Sequence, residues 1–150
     1  MLERDPSLIA VRNSVGETAM HYLVVENELA SVEWLTDRGA DVNTRDNFDE
    51  TPLMHAALLG YMELCDFLLS RGAVIEFRDE NGETAISKVA ESGKREALDM
   101  LLSHLPADAD INAYFDDLSA DSTLKHGGEI AELLEARGLK GFEERWEQSH

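Results

Sequence analysis

The sequence predicts an all-α fold, a solenoid of stacked helix-turn-helix units joined by hairpin-like loops. The first observation is an internal repeat, because segments of similar sequence begin 33 residues apart, at Gly16, Asp49 and Gly82. The second is that a Thr, which is a good helix N-cap, follows each of these starts by two residues. A fixed period of this length is typical of repeat architectures, in which each unit buries its apolar face against its neighbours.

The middle unit predicts the helices most clearly. Thr51 and Pro52 suit the N-cap and the first position of a helix that Gly60 ends. Apolar residues spaced three and four apart then predict a second helix, which ends at Gly72. The stretch AVIEFRDENGE, residues 73–83, alternates in polarity and contains an Asn-Gly turn signal, so it predicts an extended, hairpin-like loop.

These motifs resemble the ankyrin repeat, a unit of 33 residues whose first helix opens with T-P-L-H. Residues 51–54, TPLM, match that opening with Met in place of His, and residues 18–21, TAMH, keep the His. Residues 84–87, TAIS, keep neither the Pro nor the His. The loop at residues 38–46, RGADVNTRD, is close to the loop sequence typical of the family. The resemblance runs from about residue 7 to residue 138 and implies an ankyrin-repeat solenoid.

The two ends of the chain are less regular than its middle. A fourth unit is indicated by residues 128–138, GEIAELLEARG, which resemble a second helix. The first helix of this unit departs from the repeat pattern. Leu139, Phe142 and Trp146 are spaced for a short terminal helix, which we expect to cap the stack. The predicted organisation is a single domain, 1–150, with an N-terminal arm 1–15, repeats 16–48, 49–81 and 82–117, and a degenerate repeat with a C-terminal cap 118–150.

Composition restricts the class of partner. The chain carries 31 acidic and 13 basic residues, a formal net charge of −18. Such a field opposes contact with nucleic acid and anionic membranes and favours a protein with a basic contact surface. The single Cys65 excludes an internal disulfide, and its apolar neighbours predict a buried, inert thiol. Because no signal region or long apolar run occurs, we expect a cytoplasmic protein, and we expect a monomer.

No motif predicts catalysis, a cofactor or a metal centre. The five histidines and the lone Cys form no known ligand pattern. The stretch DADIN, residues 108–112, begins like a calcium loop but lacks the Gly and the Glu that such a loop requires. His21 occupies the position at which the resemblance implies a structural His that ties the helix start to the loop. The enzymatic alternative is a site in the degenerate unit, around Asp116, Asp117, Asp121 and His126.

The resemblance implies a protein-binding module, because ankyrin-like proteins bind partners with loop tips and the exposed side of each first helix. The candidate partner-binding residues at the loop tips are Arg12, Val15, Glu17, Arg45, Asn47, Phe48, Glu50, Arg78, Glu80, Asn81 and Glu83. Those on the first helices are Val25, Glu26, Leu58, Leu59 and Glu91. As alternatives, the aligned arginines could brace one loop against the next, and the glutamates that precede each helix could favour its dipole.

Phe48, Leu58 and Leu59 are the most informative candidates, because together they would form an apolar centre with an acidic rim. The alternative is that the two leucines pack between units. We therefore expect a non-enzymatic protein whose concave side binds a basic partner. Charge and shortness favour an inhibitor, such as a bacterial immunity-type protein against a toxin or nuclease. An adaptor or scaffold fragment of a larger protein is the alternative.

Overall fold

The computed structural model of the chain describes residues 6–115, 117–126, 128–141 and 147. The α-helices of this described part are α1 Ala19–Val25, α2 Leu29–Asp37, α3 Pro52–Leu59, α4 Met62–Ser70, α5 Ala85–Glu91, α6 Arg95–Ser103, α7 Asp117–His126 and α8 Gly128–Ala136. Short 3-10 helices at Pro6–Ala10 and Ile111–Tyr114 precede the first and the fourth helix pair. No strand occurs among the described residues, which confirms the all-α prediction.

The helices stack as pairs. We call α1, α3, α5 and α7 the first helices and α2, α4, α6 and α8 the second helices. α1 packs against α3, α3 against α5 and α5 against α7, while each first helix also packs against the second helix of its own pair. This stacking confirms the predicted helical solenoid.

Buried side chains recur at the repeat period along the stack. Leu35, Leu68, Leu101 and Leu134 hold the same position in successive second helices, and all four are buried. Cys65 belongs to a second such column and is 1% exposed. Burial raises the pKa of its thiol to about 12, so Cys65 is protonated at neutral pH and serves as a core side chain.

The N-caps lie where the repeat predicts them. The Thr51 hydroxyl accepts a hydrogen bond from the backbone N–H of Met54 at 3.3 Å, and Pro52 follows it at the first helical position. The Thr84 hydroxyl accepts from the N–H of Ser87 at 3.2 Å. Both bonds satisfy first-turn amides that have no partner within the helix.

A tight turn closes the loop that precedes each of the helices α1, α3 and α5. The side-chain oxygens of Asn13, Asp46 and Asp79 each accept hydrogen bonds from the second and the fourth following backbone N–H, at 2.9 to 3.0 Å. Asp and Asn favour such turns because their short side chains mimic a backbone carbonyl. This local bonding explains why the three residues align at the repeat period.

One position in this turn requires a left-handed backbone. Gly16 and Gly82 adopt φ angles of 78° and 81° there, and Asp49 adopts 59° at the equivalent position of the second loop. Asp is among the few residues with a side chain that tolerate this conformation. The second loop therefore has an acidic side chain at the position where the first and third loops have glycine.

Backbone hydrogen bonds connect successive loops. The N–H of Asn47 donates to the carbonyl of Val15, and the N–H of Glu80 donates to the carbonyl of Phe48, both at 2.9 Å. These are isolated bonds, so within the described residues the hairpin-like loops form linked turns and no β-ladder. The loop tips are thereby held in a row along one side of the stack.

A fourth helix pair continues the array. α7 begins at Asp117, the last residue of the predicted third repeat, and Leu139 after α8 is buried. The other two predicted cap residues, Phe142 and Trp146, lie outside the described residues, so the predicted domain boundaries and cap stay predictions. Among the described residues, every helix is too short or too polar to serve as a membrane span.

The stacking predicts that replacing two leucines of the second helix pair by Ala lowers the free energy of unfolding by different amounts. Leu64 is fully buried, whereas Leu59 is 46% exposed. Leu64→Ala should lower the free energy of unfolding by about 3 kcal/mol, because it leaves a cavity between helix pairs. Leu59→Ala should change it by only about 0.5 kcal/mol. Urea denaturation followed by circular dichroism measures both, and equal costs would contradict this helix register.

Candidate functional site

Large apolar side chains are exposed on the loops and first helices of the first two units. Val15 and Val25 are each 38% exposed, Phe48 is 44%, Leu59 is 46% and Tyr22 is 63% exposed. We call these five residues the apolar surface. At the equivalent positions of the third loop and of α5 stand the polar residues Asn81, Lys88, Glu91 and Ser92. The exposed apolar area is therefore concentrated at one end of the described stack.

The three residues expected at the apolar centre do not behave alike. Phe48 and Leu59 are exposed, but Leu58 is half-buried and packs against the core. Packing between units thus accounts for Leu58, as the alternative interpretation had it. Sequence reasoning missed Tyr22, although its alignment with His55 and Lys88 at the repeat period places it on the same side of the first helix.

Two of the three aligned arginines brace the loops. Arg12 donates to the carbonyls of Gly16 and Arg45 and to the Thr44 hydroxyl, so it joins the first loop to the second. Arg78 donates to the carbonyl of Gly82 and, at 2.6 Å, to that of Ala113 in the next loop.

The second loop differs in two ways. Arg45 stacks over the Phe77 ring, with its guanidinium carbon 4.3 Å from the ring centroid. Asn47 donates a side-chain hydrogen bond to the carbonyl of Ser14 at 3.3 Å. The polar residues at these positions thus hold the loops in place, which limits how freely they could reorient toward a partner.

The candidate acidic residues fall into two groups. Glu17 accepts a hydrogen bond from the Asn13 side chain, and Glu50 and Glu83 both pair with Lys88. Glu26 and Glu80 form the second group, because they are exposed and make no ion pair with the described residues. Asp49, which is not among the candidates, shares both properties. The remaining candidate, Glu91, is exposed at the end of α5.

Lys88 is the centre of a half-buried ionic cluster. Its ammonium nitrogen lies 2.6 Å from Asp79 Oδ2, 3.1 Å from Glu50 Oε1 and 3.3 Å from Glu83 Oε2. The Lys88 side chain is 11% exposed and that of Asp79 only 1%. Because Glu50 lies in the second loop, whereas Asp79 and Glu83 lie in the third, the cluster ties two successive loops to α5.

This pairing sets the protonation states of the cluster. Burial alone would lower the pKa of Lys88, but its bonds to Asp79 and Glu50 outweigh burial and raise the pKa above the usual value. Burial likewise opposes ionisation of Asp79, yet hydrogen bonds from Lys88 and the loop amides bring its pKa below the usual value. Both groups are therefore charged over the whole neutral range.

His21 has the structural role that the resemblance implies. Its Nδ1 accepts a hydrogen bond from the backbone N–H of Thr18 at 3.2 Å, so its Nε2 donates to the carbonyl of Glu50 at 3.1 Å. Burial lowers the pKa of the ring and keeps it neutral, although the bond to Glu50 opposes this. The imidazole thereby fixes the start of α1 to the second loop.

His55 lies beside this imidazole. The two rings meet edge to face at 5.8 Å between centroids. Ligand atoms of His21, His55 and Asp46 all lie within 4.8 Å of one another. His55 Nε2 is also 3.5 Å from Glu50 Oε2.

The alternative enzyme site receives no geometric support. Asp116 lies outside the described residues, and the structure describes no side chain for Asp117 or His126. Asp121 is half-buried. No catalytic constellation can be built there from the described side chains.

Comparisons with known families agree with this arrangement. A family model described as "Ankyrin repeats (3 copies)" matches residues 39–114, and one described as "Ankyrin repeat" matches residues 15–47. The chain belongs to the ankyrin repeat family. A search among curated proteins found no match. Ankyrin repeats are protein–protein interaction modules and typically have no enzymatic activity, so the exposed surface of the repeats is the candidate functional site.

The Lys88 cluster predicts a large effect on stability. Lys88→Met should cost about 3 kcal/mol, because it leaves the buried Asp79 carboxylate without its cation. The exposed Lys94 offers a control, and Lys94→Met should change stability by about 0.5 kcal/mol. Chemical denaturation of the three proteins at pH 7 measures both costs.

The pH dependence of that cost follows from the two pKa shifts. The contribution of Asp79 is present above its unfolded pKa, about 3.9, and is lost as pH falls through the lower folded value. That of Lys88 is present below about 10.4 and is lost as pH rises through its raised folded value. The cost of Lys88→Met should stay constant between about pH 5 and 9. A cost that vanishes at pH 7 would contradict the cluster's stabilising role.

Proposed function

We propose that this ankyrin repeat protein is an acidic inhibitor that binds a protein with a basic contact surface. The observation that supports it most is the position of the apolar surface beside acidic side chains that make no ion pair within the described chain. Such an apolar centre with a charged rim is the usual anatomy of a protein interface. A toxin or nuclease with a basic surface, opposed by an immunity-type protein, fits this chemistry.

The proposed contact uses the first two units. Phe48 and Leu59 would enter the partner's apolar contact area, with Tyr22 and Val25 beside them on α1. Glu26 is the C-cap residue of α1 and follows Val25 directly, and Asp49 follows Phe48 directly. These carboxylates would meet Lys and Arg side chains on the partner.

Electrostatics would speed the encounter. A net charge of −18 attracts a basic protein over distances of about 10 Å at 0.1 M salt. The same charge opposes self-association, which favours a monomer. The proposed compartment is the cytoplasm, where the buried Cys65 would remain reduced.

Affinity capture from the native source tests the inhibitor proposal. The captured protein should be basic, and its activity should fall in proportion to the added ankyrin repeat protein until the two are equimolar. An acidic partner would contradict the proposal. A basic partner whose activity stays unchanged at saturation would instead favour an adaptor or scaffold.

A charge-matched pair of variants tests which carboxylates meet the partner. One variant combines Glu26→Gln, Asp49→Asn and Glu80→Gln, and Asn keeps the left-handed position of residue 49 accessible. The control combines Glu33→Gln, Glu63→Gln and Glu96→Gln, three exposed carboxylates on the second helices. The first variant should lower the association rate of the captured partner about tenfold in low salt, and the control much less.

Stopped-flow association at several salt concentrations measures both variants. The difference between them should shrink toward 1 M salt, where the Debye length falls to about 3 Å. Equal rates for the two variants in low salt would show that net charge alone, and no particular face, steers association.

Phe48 should act on the lifetime of the complex. Phe48→Ala should raise the dissociation rate about 30-fold, equivalent to about 2 kcal/mol of binding free energy, if the ring fills a partner pocket. Since the Phe48 side chain is 44% exposed in the free protein, the thermal unfolding midpoint of the Phe48→Ala variant should hardly differ from that of the unaltered chain. Surface plasmon resonance measures the rate, and an unchanged dissociation rate would place the interface elsewhere.

A further inference from the structure

We propose that His55, Asp46 and Glu50 form a binding site for one divalent transition-metal ion under the second loop. The site goes beyond the proposed function, because it needs no partner protein. Its ligands would be the Nε2 of His55 on α3 with the Oδ2 of Asp46 or the Oε2 of Glu50, which lie 3.6 and 3.5 Å from that nitrogen. The last two belong to the turn that carries Phe48.

The His55 nitrogen lacks a partner that would satisfy it. It lies 3.6 Å from Asp46 Oδ2 and 3.5 Å from Glu50 Oε2, which is close enough for charges to interact. Both distances are too long for hydrogen bonds, which cluster near about 2.9 Å. The nitrogen is buried and has no hydrogen-bond partner among the described residues. A buried nitrogen without a bond, aimed at two carboxylate oxygens, is an unusual and costly arrangement.

These separations fit the ligands of a small ion. Zinc lies about 2.1 Å from imidazole nitrogen and carboxylate oxygen, so two such ligands in a tetrahedral site are about 3.4 Å apart. The nitrogen–oxygen distances of 3.5 and 3.6 Å differ little from that value. An ion could therefore contact His55 and either carboxylate with only small side-chain movements, and water would complete its coordination.

The next unit shows what these carboxylates require. Asp79 and Glu83 are the equivalents of Asp46 and Glu50, and Lys88 is the equivalent of His55. The Lys88 ammonium pairs with Asp79 and Glu83 of the third loop and with one oxygen of Glu50. In the second loop an imidazole stands where the third has an ammonium group, and a divalent ion bound to that imidazole would bring positive charge to Asp46.

The surrounding bonds hold the ligands in place. Asp46 is 3% exposed, and its Oδ1 accepts two loop amides, which leaves Oδ2 directed toward His55. His21 lies within reach, but both of its ring nitrogens already bond to the backbone. It therefore acts behind the ligands, where its bond to the carbonyl of Glu50 holds that residue in position.

The ligand set selects the metal. An imidazole nitrogen with carboxylate oxygens suits Zn²⁺, Co²⁺ and Ni²⁺, whereas Mg²⁺ and Ca²⁺ prefer oxygen ligands alone. Cys65 does not compete for the ion, because its thiol is buried and protonated at neutral pH.

Calorimetric titration of the intact chain with Zn²⁺ and with Co²⁺ tests the site. Each ion should bind once per chain, be removed by a chelator, and persist in excess Mg²⁺. His55→Ala and Asp46→Asn should each weaken binding about tenfold or more. Asn at position 46 should preserve the turn, since Asn13 makes the same turn in the first unit.

His104→Ala is the matched control, because His104 forms another histidine–carboxylate pair, 3.9 Å from Asp66 and more exposed. This variant should bind Zn²⁺ as tightly as the unaltered chain. Circular dichroism confirms that each variant is folded before titration. The proposal is overturned if no saturable binding occurs, or if His55→Ala binds Zn²⁺ as tightly as the unaltered chain.

Discussion

Each helix pair of this protein buries its apolar side chains against the pairs before and after it, and the rest of the structure depends on that stacking. The leucine column of the second helices, from Leu35 to Leu134, continues without a break into the fourth pair. Because the core lies between units, a residue's place in the 33-residue period decides whether it is buried. The loop tips and one side of the first helices are left free for binding.

Charge and hydrogen bonding position the tips of the loops. Asp46 and Asp79 each bond two amides of their own turn, and Lys88 then joins the second and third loops through Glu50. In a strongly acidic chain, such pairing uses part of the negative charge internally. On the side of the apolar surface, the exposed carboxylates Glu26, Asp49 and Glu80 make no ion pair with the described residues. The apolar surface and these acids together form the contact proposed for a basic protein.

Much of the fold could be predicted because it depends on local or strictly periodic signals. Thr51 and Thr84 cap helices as their sequence context indicates, and His21 binds the loop as the family resemblance implies. The interaction of Lys88 with Glu50 could not be predicted, since the two residues are 38 apart and meet only through a long side chain. Leu58 and Leu59 are neighbours near the end of a short helix, where a small change of phase separates core from surface. The metal-ligand geometry at His55 likewise appears only when loop and helix are placed together.

We propose that this ankyrin repeat protein binds its partner with the loops and first helices of the first two units. Hydrogen–deuterium exchange of the free and the bound protein tests it most directly, because it locates the contact along the chain. Partner binding should slow exchange in the turn at residues 46–50 and at the end of α1, residues 22–27. Slower exchange confined to the second helices, residues 29–37, 62–70 and 95–103, would contradict it.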